Sequence, residues 1–281
     1  MKRIVTHPRS AHHDDVLCLA YLMEADTVIE RREPVQAELD DPEVYVVDVG
    51  MQWDAERNNY DHHQSEGVPE SCCAFSLVLK SRGMYETAQE CWPWLKFVEL
   101  YDTGGSRKIE TEYGIVQKRV PEVLDPISAF IISLVREHST IKPGIFVHDL
   151  LLQFGKDLRN QPVRFRHEFD TMDQQAKRGI VKSQQGAPIP YIDFSEILEY
   201  LDLQDQWIAL RHPDALCYIY NSNGNLALRR TLAAEAQGAI DFNKAEGHPA
   251  ITFIHKAGFL AKLSNRDREA ARTIMAEGYV E

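Results

Sequence analysis

The chain reads as an α/β protein, with a parallel-sheet domain at its N-terminus, a helical connector and a smaller α+β C-terminal domain. Three observations carry that expectation. Short β-branched runs alternate with helix-like apolar runs through the first 125 residues, the pattern of strands covered by helices. One run, "EVYVVDVG", is almost continuously apolar, as a strand buried on both faces of a parallel sheet has to be. The third is a change of character. From Asp125 to Gln185 the sequence is mostly helical, and beyond Gly186-Ala187-Pro188-Ile189-Pro190 it turns to hairpin signals. The expected domains are therefore 1–125, 126–186 and 187–281.

Each element has its own warrant. Lys2 to Thr6 is a short strand, and the polar "HPRSAHHDD" leads into "VLCLAYLME", a helix lying on the sheet. Pro42 precedes the strand "EVYVVDVG", which Gly50 closes, and "YDHH" follows a further short extended piece. "SCCAFSLVLKSRG" and "CWPWLKFVELYDTGG" both read as helices ending at glycine. "DPISAFIISLVREH" and "FVHDLLLQFGKDLRN" through "KRGIVKSQQ" make the helical connector. "ALCYIYNSNGNLALRR" is a hairpin turning at Asn-Gly. "AITFIHKAGFLAKL" is a strand entering a glycine-containing turn, and "NRDREAARTIMAEG" a capped final helix.

Composition narrows the function. With 44% hydrophobic and 26% charged residues in 281, the chain is an ordinary globular protein whose length suits two domains or one large one. A net charge of −12 argues against a protein that coats duplex nucleic acid. The imbalance is local: residues 1–210 hold 22 Lys/Arg against 35 Asp/Glu, residues 211–281 hold 9 against 8. The first part suits cations, and the last tolerates an anionic ligand better. No apolar run is long enough to span a bilayer, and "MKRIVTHPRS" lacks the apolar segment of a secretion signal. Five cysteines without a CxxC pair speak against a disulfide framework or a cysteine-rich zinc site, so a reducing cytoplasm is expected, with no membrane partner.

Four groups of candidate ligands fall at the ends of these elements: His7 with His12-His13-Asp14-Asp15, then Asp48, then Asp61-His62-His63, then Asp102, read as a helix end before Thr-Gly-Gly. Ligands gather at the C-terminal edge of an open parallel sheet. A carboxylate as buried as Asp48 is costly unless compensated, and a metal ion compensates it directly. Adjacent strand residues point to opposite faces, so Asp61, His62 and His63 cannot all serve one ion from a regular strand. Singly each feature has a plain structural reading: a turn aspartate, a surface histidine pair, a solvated helix start. Together, imidazoles and carboxylates without thiolate favour Mn, Fe, Co or Zn over Ca. No GxSxG, phosphate-binding loop, GxGxxG or HExxH is present.

In order, HxxxxHxD, VVDVG, YDHHQ and a later Asp resemble the DHH phosphoesterase superfamily. Within it the chain is most similar to the family named for the melanocyte proliferating gene (MYG), through "THPRSAHHDD", "NNYDHHQ" and, near the end, "FIHKAGF". The resemblance covers most of the chain in order, strong over the first 105 residues and thin between about 105 and 240. It implies one ion held by His7, His12 and Asp48 and a second by Asp14, Asp48, His62 and Asp102, with Asp48 bridging. The superfamily more often has Asp where His12 stands. Asp61 would support the site by hydrogen bonding and His63 would face the substrate phosphate, so that Asp48, Asp61 and His63 form the catalytic set. Two Mn²⁺ ions (Zn, Co, Fe or Mg also fit) would activate a water for attack on a phosphodiester. The substrate would be a phosphorylated small molecule, such as a nucleotide, or a short single-stranded nucleic acid. Arg229, His255, Lys256 and Gly258 would add substrate contacts from the C-terminal domain, for which a homodimer contact is the other role. Trp92-Pro93-Trp94 reads as helix packing or as a base-stacking platform. Two alternatives stay open: a metal-dependent amide or protein hydrolase, and a nucleotide- or RNA-binding protein without turnover.

Overall fold

Alternate residues of "RIVT" and "VYVV" are apolar towards opposite sides, which requires cover on both faces of their sheet. That is what a computed structural model describes, over residues 2–8, 10–64, 67–69, 71–114, 126–184, 189–197 and 201–280. The chain divides into two compact units, Met1–Arg164 and Phe165–Glu281, where the sequence expectation draws its lines at 125 and 186. Residues 115–125 and 185–188, on which those lines fall, lie outside the described residues.

The first unit holds strands β1 (Arg3–Thr6), β2 (Val28–Arg31), β3 (Val44–Val47), β4 (Trp53–Asp54), β5 (Asn59–Tyr60) and β6 (Thr140–Ile141). Their order is β4-β5-β3-β1-β2-β6. β5, β3, β1 and β2 run parallel, while β4 and β6 close the edges antiparallel. Ile4 and Val47 enter one core, with Cys18, Leu77 and Leu151; Val5, Val44 and Val46 enter another, with Leu39 and Val49. The helices are α1 (His13–Leu22), α2 (Gln36–Leu39), α3 (Ala74–Ser81), α4 (Tyr85–Cys91), α5 (Leu95–Tyr113), α6 (Pro126–Arg136) and α7 (Phe146–Lys177), the last running across the division between units. α1 is buried from Asp14 to Leu22 because α3, α5 and α6 all pack on it.

Three sequence expectations need correction. α5 does not end at Gly104-Gly105; it continues to Tyr113 and stops at Gly114, whose φ of 66° is left-handed. Glycine in a helix costs about 1 kcal/mol each, and burial of Leu95, Val98, Leu100 and Ile109 along the helix outweighs that. Asp102 is thus mid-helix rather than a helix end. The connector is not wholly helical, since β6 interrupts it and "KSQ" is strand β7 (Lys182–Gln184). The "VIER" strand, β2, is absent from the sequence expectation; Arg31 on it is buried and donates to the carbonyls of Val135 and Arg136.

The second unit is α+β. Its sheet runs β11-β12-β10-β9-β8-β7, built from β7, β8 (Tyr191–Asp193), β9 (Cys217–Ser222), β10 (Asn225–Arg230), β11 (Ile251–Ile254) and β12 (Leu260–Leu263). β8 and β9 are parallel and the other pairs antiparallel. Asn223 and Gly224, at φ 53° and 87°, make the expected hairpin turn. Helices α8 (Gln204–Arg211), α9 (Leu232–Gln237) and α10 (Arg268–Glu277) complete it. Asp267 caps α10 by accepting from the amides of Glu269 and Ala270. Among the described residues no helix is long and apolar enough to cross a membrane.

Glu38 ties the β1–β2 edge to α2. Its carboxylate accepts from Arg3 at 2.6 Å, from Arg32 at 2.7 and 2.8 Å, and from the Val35 amide at 3.0 Å. The Arg32 hydrogen bonds, against the opposing effect of burial, hold its pKa down to about 2 from 4.5. A carboxylate depressed on folding adds stability that is fully present above pH ~4.5 and is lost as pH falls through the folded value near 2, here about 3 kcal/mol at most. Arg3 and Arg32 are 39% and 40% exposed, so solvent screening lowers that ceiling. Urea unfolding in chelator should show Glu38→Gln less stable by roughly 1–2 kcal/mol at pH 7, with the gap from the unsubstituted protein narrowing by about pH 3. A gap independent of pH would refute the ionic account.

Candidate metal centre

Register assembles the site. Thr6 pairs with Val47 and Val47 with Tyr60, so the residues that follow, His7, Asp48 and Asp61, leave three neighbouring parallel strands side by side. Asp48 has φ 55°, a left-handed conformation uncommon for a residue with a side chain. Aspartate tolerates it, and such strain gathers at sites that need a particular side-chain direction. At Gly50 a Cβ would lie 2.9 Å from Leu39 Cδ2 and 3.2 Å from Pro34 Cγ, with φ at 94°, so only glycine completes the turn. His12, Asp14 and Asp15 come from the N-terminus of α1, and Asp102 from the middle of α5.

These groups converge. His7 Nε2 lies 2.9 Å from Asp15 Oδ2 and 3.5 Å from Asp48 Oδ2. His62 Nε2 lies 3.2 Å from Asp48 Oδ1 and 2.8 Å from Asp102 Oδ2. Among the described residues, three sets of donor atoms fall within 4.8 Å of one another: His7, His12 and Asp48; Asp48, His62 and His63; and His12, Asp14 and Asp102. The first of these is the set expected for one ion. The second expected set is distributed over the other two, with His63 drawn in beside Asp48 and His62.

Asp61, His62 and His63 are aimed differently because Asp61 folds the chain back on itself. Its carboxylate accepts from the Met51 amide at 2.7 Å and the His63 amide at 3.0 Å, and lies 2.6 Å from His63 Nδ1. His62 then faces Asp48 and Asp102, while the His63 ring stays 54% exposed. Asp15 is the residue that sequence reasoning left without a role. It is fully buried, accepts from the His12 amide at 2.9 Å and holds His7. The signal was present, since an acid three residues after a helix cap reaches back to the cap's amide.

The charges explain why these residues need one another. Both Asp14 carboxylate oxygens are buried without a hydrogen-bond partner. Burial first, then the carboxylates of Asp48, Asp102 and Asp15, push the Asp14 pKa well up. Burial also raises Asp48, with the His62 hydrogen bond opposing. At Asp61 burial acts upward too, but hydrogen bonds from the His63 side chain and amide and the Met51 amide hold it low. His62 rises to about 10, its hydrogen bonds to Asp102 and Asp48 overcoming the opposing burial. The cluster therefore calls for positive charge, and a divalent cation supplies it. The donors fit one: imidazole nitrogens and carboxylate oxygens, with no thiol in the three sets among the described residues.

The C-terminal candidates lie in the second unit. Arg229 pairs with Asp205 at 3.0 Å and sits over the Phe259 ring. The His255 ring is 4.2 Å from that of Phe259, and its Nδ1 accepts from the Ala257 amide. Lys256 is exposed. At Gly258, φ 65°, a Cβ would overlap the Asp241 carboxylate, so the close approach glycine permits here is to the chain's own Asp241 and Asn243.

Asp14 gives a test that needs no substrate. Mn²⁺ should raise Tm in the unsubstituted protein, as any ligand of the folded state does, the added stability being about 2.7 kcal/mol at a hundred times Kd. Asp14→Asn should be at least as stable in chelator, having lost a buried unpaired carboxylate, yet gain far less from Mn²⁺. Asp48→Asn should lower bound metal, by elemental analysis, much more than Asp61→Asn. An Asp48→Asn protein with undiminished metal would move the site elsewhere.

Residues 3–84 match the family model MYG1_exonuc, described as "Uncharacterised protein family (UPF0160)". Among curated proteins nothing matches. The solved structures it is similar to include a pGpG-specific phosphodiesterase, PggH, from Vibrio cholerae (15% identity, covering 97% of this chain and 96% of that one, TM-score 0.33). A DHH domain described as belonging to a family of ribosomal proteins gives 12%, 97%, 85% and 0.32. RecJ in complex with Mn²⁺, from Thermus thermophilus, gives 14%, 98%, 51% and 0.30. Likenesses at such scores carry no weight for this chain, and the family match rests on the residues that form the centre's strands and loops. Over residues 3–84, then, the chain is similar to the family that the MYG1_exonuc model describes.

Proposed function

We propose that the chain is a phosphodiester hydrolase working with two divalent ions, Mn²⁺ foremost, on a nucleotide or a short single-stranded oligonucleotide. The observation that carries this reading is Asp14, whose two oxygens are buried and unpartnered among further carboxylates and imidazoles. His7, His12 and Asp48 would hold one ion, and Asp14, Asp48, His62 and Asp102 the other. Bound there, such ions lower the pKa of a water and neutralise charge developing on a phosphate.

The chain's own residues do the rest. Asp61 fixes the His63 ring through Nδ1, leaving Nε2 as the ring's remaining donor for a phosphate oxygen. Asp15 holds His7 and the His12 amide in place. No protein nucleophile is required. The thiols of Cys18 and Cys73 are buried with their pKa values pushed well up by burial, and Ser76 Oγ donates to Glu99. In the second unit His255, Lys256 and Arg229 are proposed to contact the anionic substrate. The near balance of charge over residues 211–281 supports this, as does the exposure of Lys256.

Chelator-stripped protein should hydrolyse none of a panel of cyclic and linear dinucleotides, short RNA and DNA, pyrophosphate, nucleoside phosphates and peptides. Mn²⁺ should restore cleavage of a phosphodiester. Full activity in metal-free protein, or cleavage of peptides alone, would overturn the proposal. His255→Ala should lower kcat/KM on the best substrate by roughly 10- to 150-fold with metal content unchanged, the loss of one charge-assisted hydrogen bond.

A further inference from the structure

A cavity of about 480 Å³ lies among α1, α5, α6 and α7 in the first unit, with walls that include Leu17, Trp94, Phe97, Val98, Ile132 and Leu158. The metal centre makes no use of it, but the same two helices build both. Leu17 is one turn along α1 from Asp14, and Val98 one turn back along α5 from Asp102. Residues three or four apart share a helix face about 5–6 Å apart. Asp14 and Asp102 themselves belong to one set of converging donors. The cavity therefore lies one helical turn along α1 and α5 from two of the centre's carboxylates.

Its walls are suited to a flat ring. Trp92 is buried and stacks on Phe75 at 5.9 Å, and Trp94 stacks in turn on Trp92 at 5.1 Å while remaining 38% exposed. Of the two tryptophans, then, one is packing and the other ends a braced aromatic stack at the cavity. Phe97 stacks on Tyr101 at 6.2 Å, and Tyr101 meets the His13 ring edge-on, so aromatic rings continue towards the residues flanking Asp102 and Asp14. Rings held this way lose little freedom on binding a partner.

We propose that this cavity binds the nucleobase of the substrate, stacked against Trp94 and Phe97, with the adjoining phosphate at the metal centre. The choice of a nucleotide rests on the phosphoesterase reading; the cavity and its aromatic wall do not. Base–aromatic stacking of this kind contributes roughly 5- to 150-fold in affinity per contact, with little preference among bases.

The test is calorimetric binding of AMP and of ribose 5-phosphate to Mn²⁺-loaded protein. The unsubstituted protein should prefer AMP. That preference should fall about 5- to 150-fold in Trp94→Ala and in Phe97→Ala and be largely kept in Trp94→Phe. Should an alanine variant fail to fold, Ile132→Trp fills the cavity without removing a ring and should reduce the preference likewise. Equal affinity for the two ligands, an unchanged preference in the variants, or tighter binding of hexyl phosphate than of AMP overturns the proposal. Binding of AMP through Trp94 without cleavage of any ester keeps the cavity assignment and removes the hydrolase. Cleavage of dinucleotides with the preference unaltered in Trp94→Ala does the reverse.

Discussion

Two carboxylates removed from water, Asp14 and Asp48, set the terms for the first unit. A carboxylate placed in such surroundings without a partner is strongly disfavoured in its charged form. The arrangement around them can be read as compensation. Parallel register brings His7 beside Asp48, the α1 N-terminus sets its positive dipole end near Asp14, and Asp61 turns the chain so that His62 reaches both Asp48 and Asp102. The left-handed backbone at Asp48 costs on the order of 1 kcal/mol, small beside the charge it directs. Imidazoles meet part of the demand: His7 lies 2.9 Å from Asp15, and His62 3.2 Å from Asp48 and 2.8 Å from Asp102. They leave Asp14 unpartnered, and this unsatisfied carboxylate is the strongest physical reason to expect a cation.

How much of this was legible in the sequence depended on the range of the forces involved. The ligands could be found because short strands end where their apolar run ends, so His7, Asp48 and Asp61 announce themselves by following "IVT", "VYVV" and "NY". The Asn223-Gly224 turn and the Asp267 cap are local chemistry and were equally plain. What could not be read was set by tertiary contact. Gly104-Gly105 looks like a helix stop until the burial of Ile109 beyond it is known. β2 is a strand because β1 and β6 pair with it, although half its residues are charged. Asp15 is legible as a helix-cap acid from its spacing to His12, but its hold on His7 is not, since that contact reaches across the site.

In the second unit the same local signals also have partners within the chain. Gly258 does sit where no side chain fits, yet its neighbour is Asp241 rather than open space. Arg229 is engaged with Asp205, one of the two ordinary fates of an arginine pair on a strand. A positive charge already paired, 44% exposed, attracts an anion less than a free one, because the incoming group competes with a carboxylate 3.0 Å away. The His255 ring makes weaker contacts, with Phe259 and the Ala257 amide, and Lys256 is exposed, so both have less to give up. If the unit meets an anion, these two are better placed to do so.

The cysteines explain the donor set from the opposite direction. Cys18 and Cys73 are buried, and each feels the Asp14 charge strongly enough to raise its pKa beyond the effect of burial alone. A thiolate there would be one more anion in a region already carrying several, so each thiol stays neutral and packs as a small apolar group. Neutral thiols are poor ligands. The same crowd of carboxylates that attracts a cation thus removes the soft donors from competition, leaving imidazole and carboxylate to hold it. Such a set suits Mn²⁺ and its neighbours among the harder divalent ions, which exchange water ligands readily and bind phosphate oxygen well. The metal and the chemistry proposed for this chain would then share one cause, the burial of Asp14.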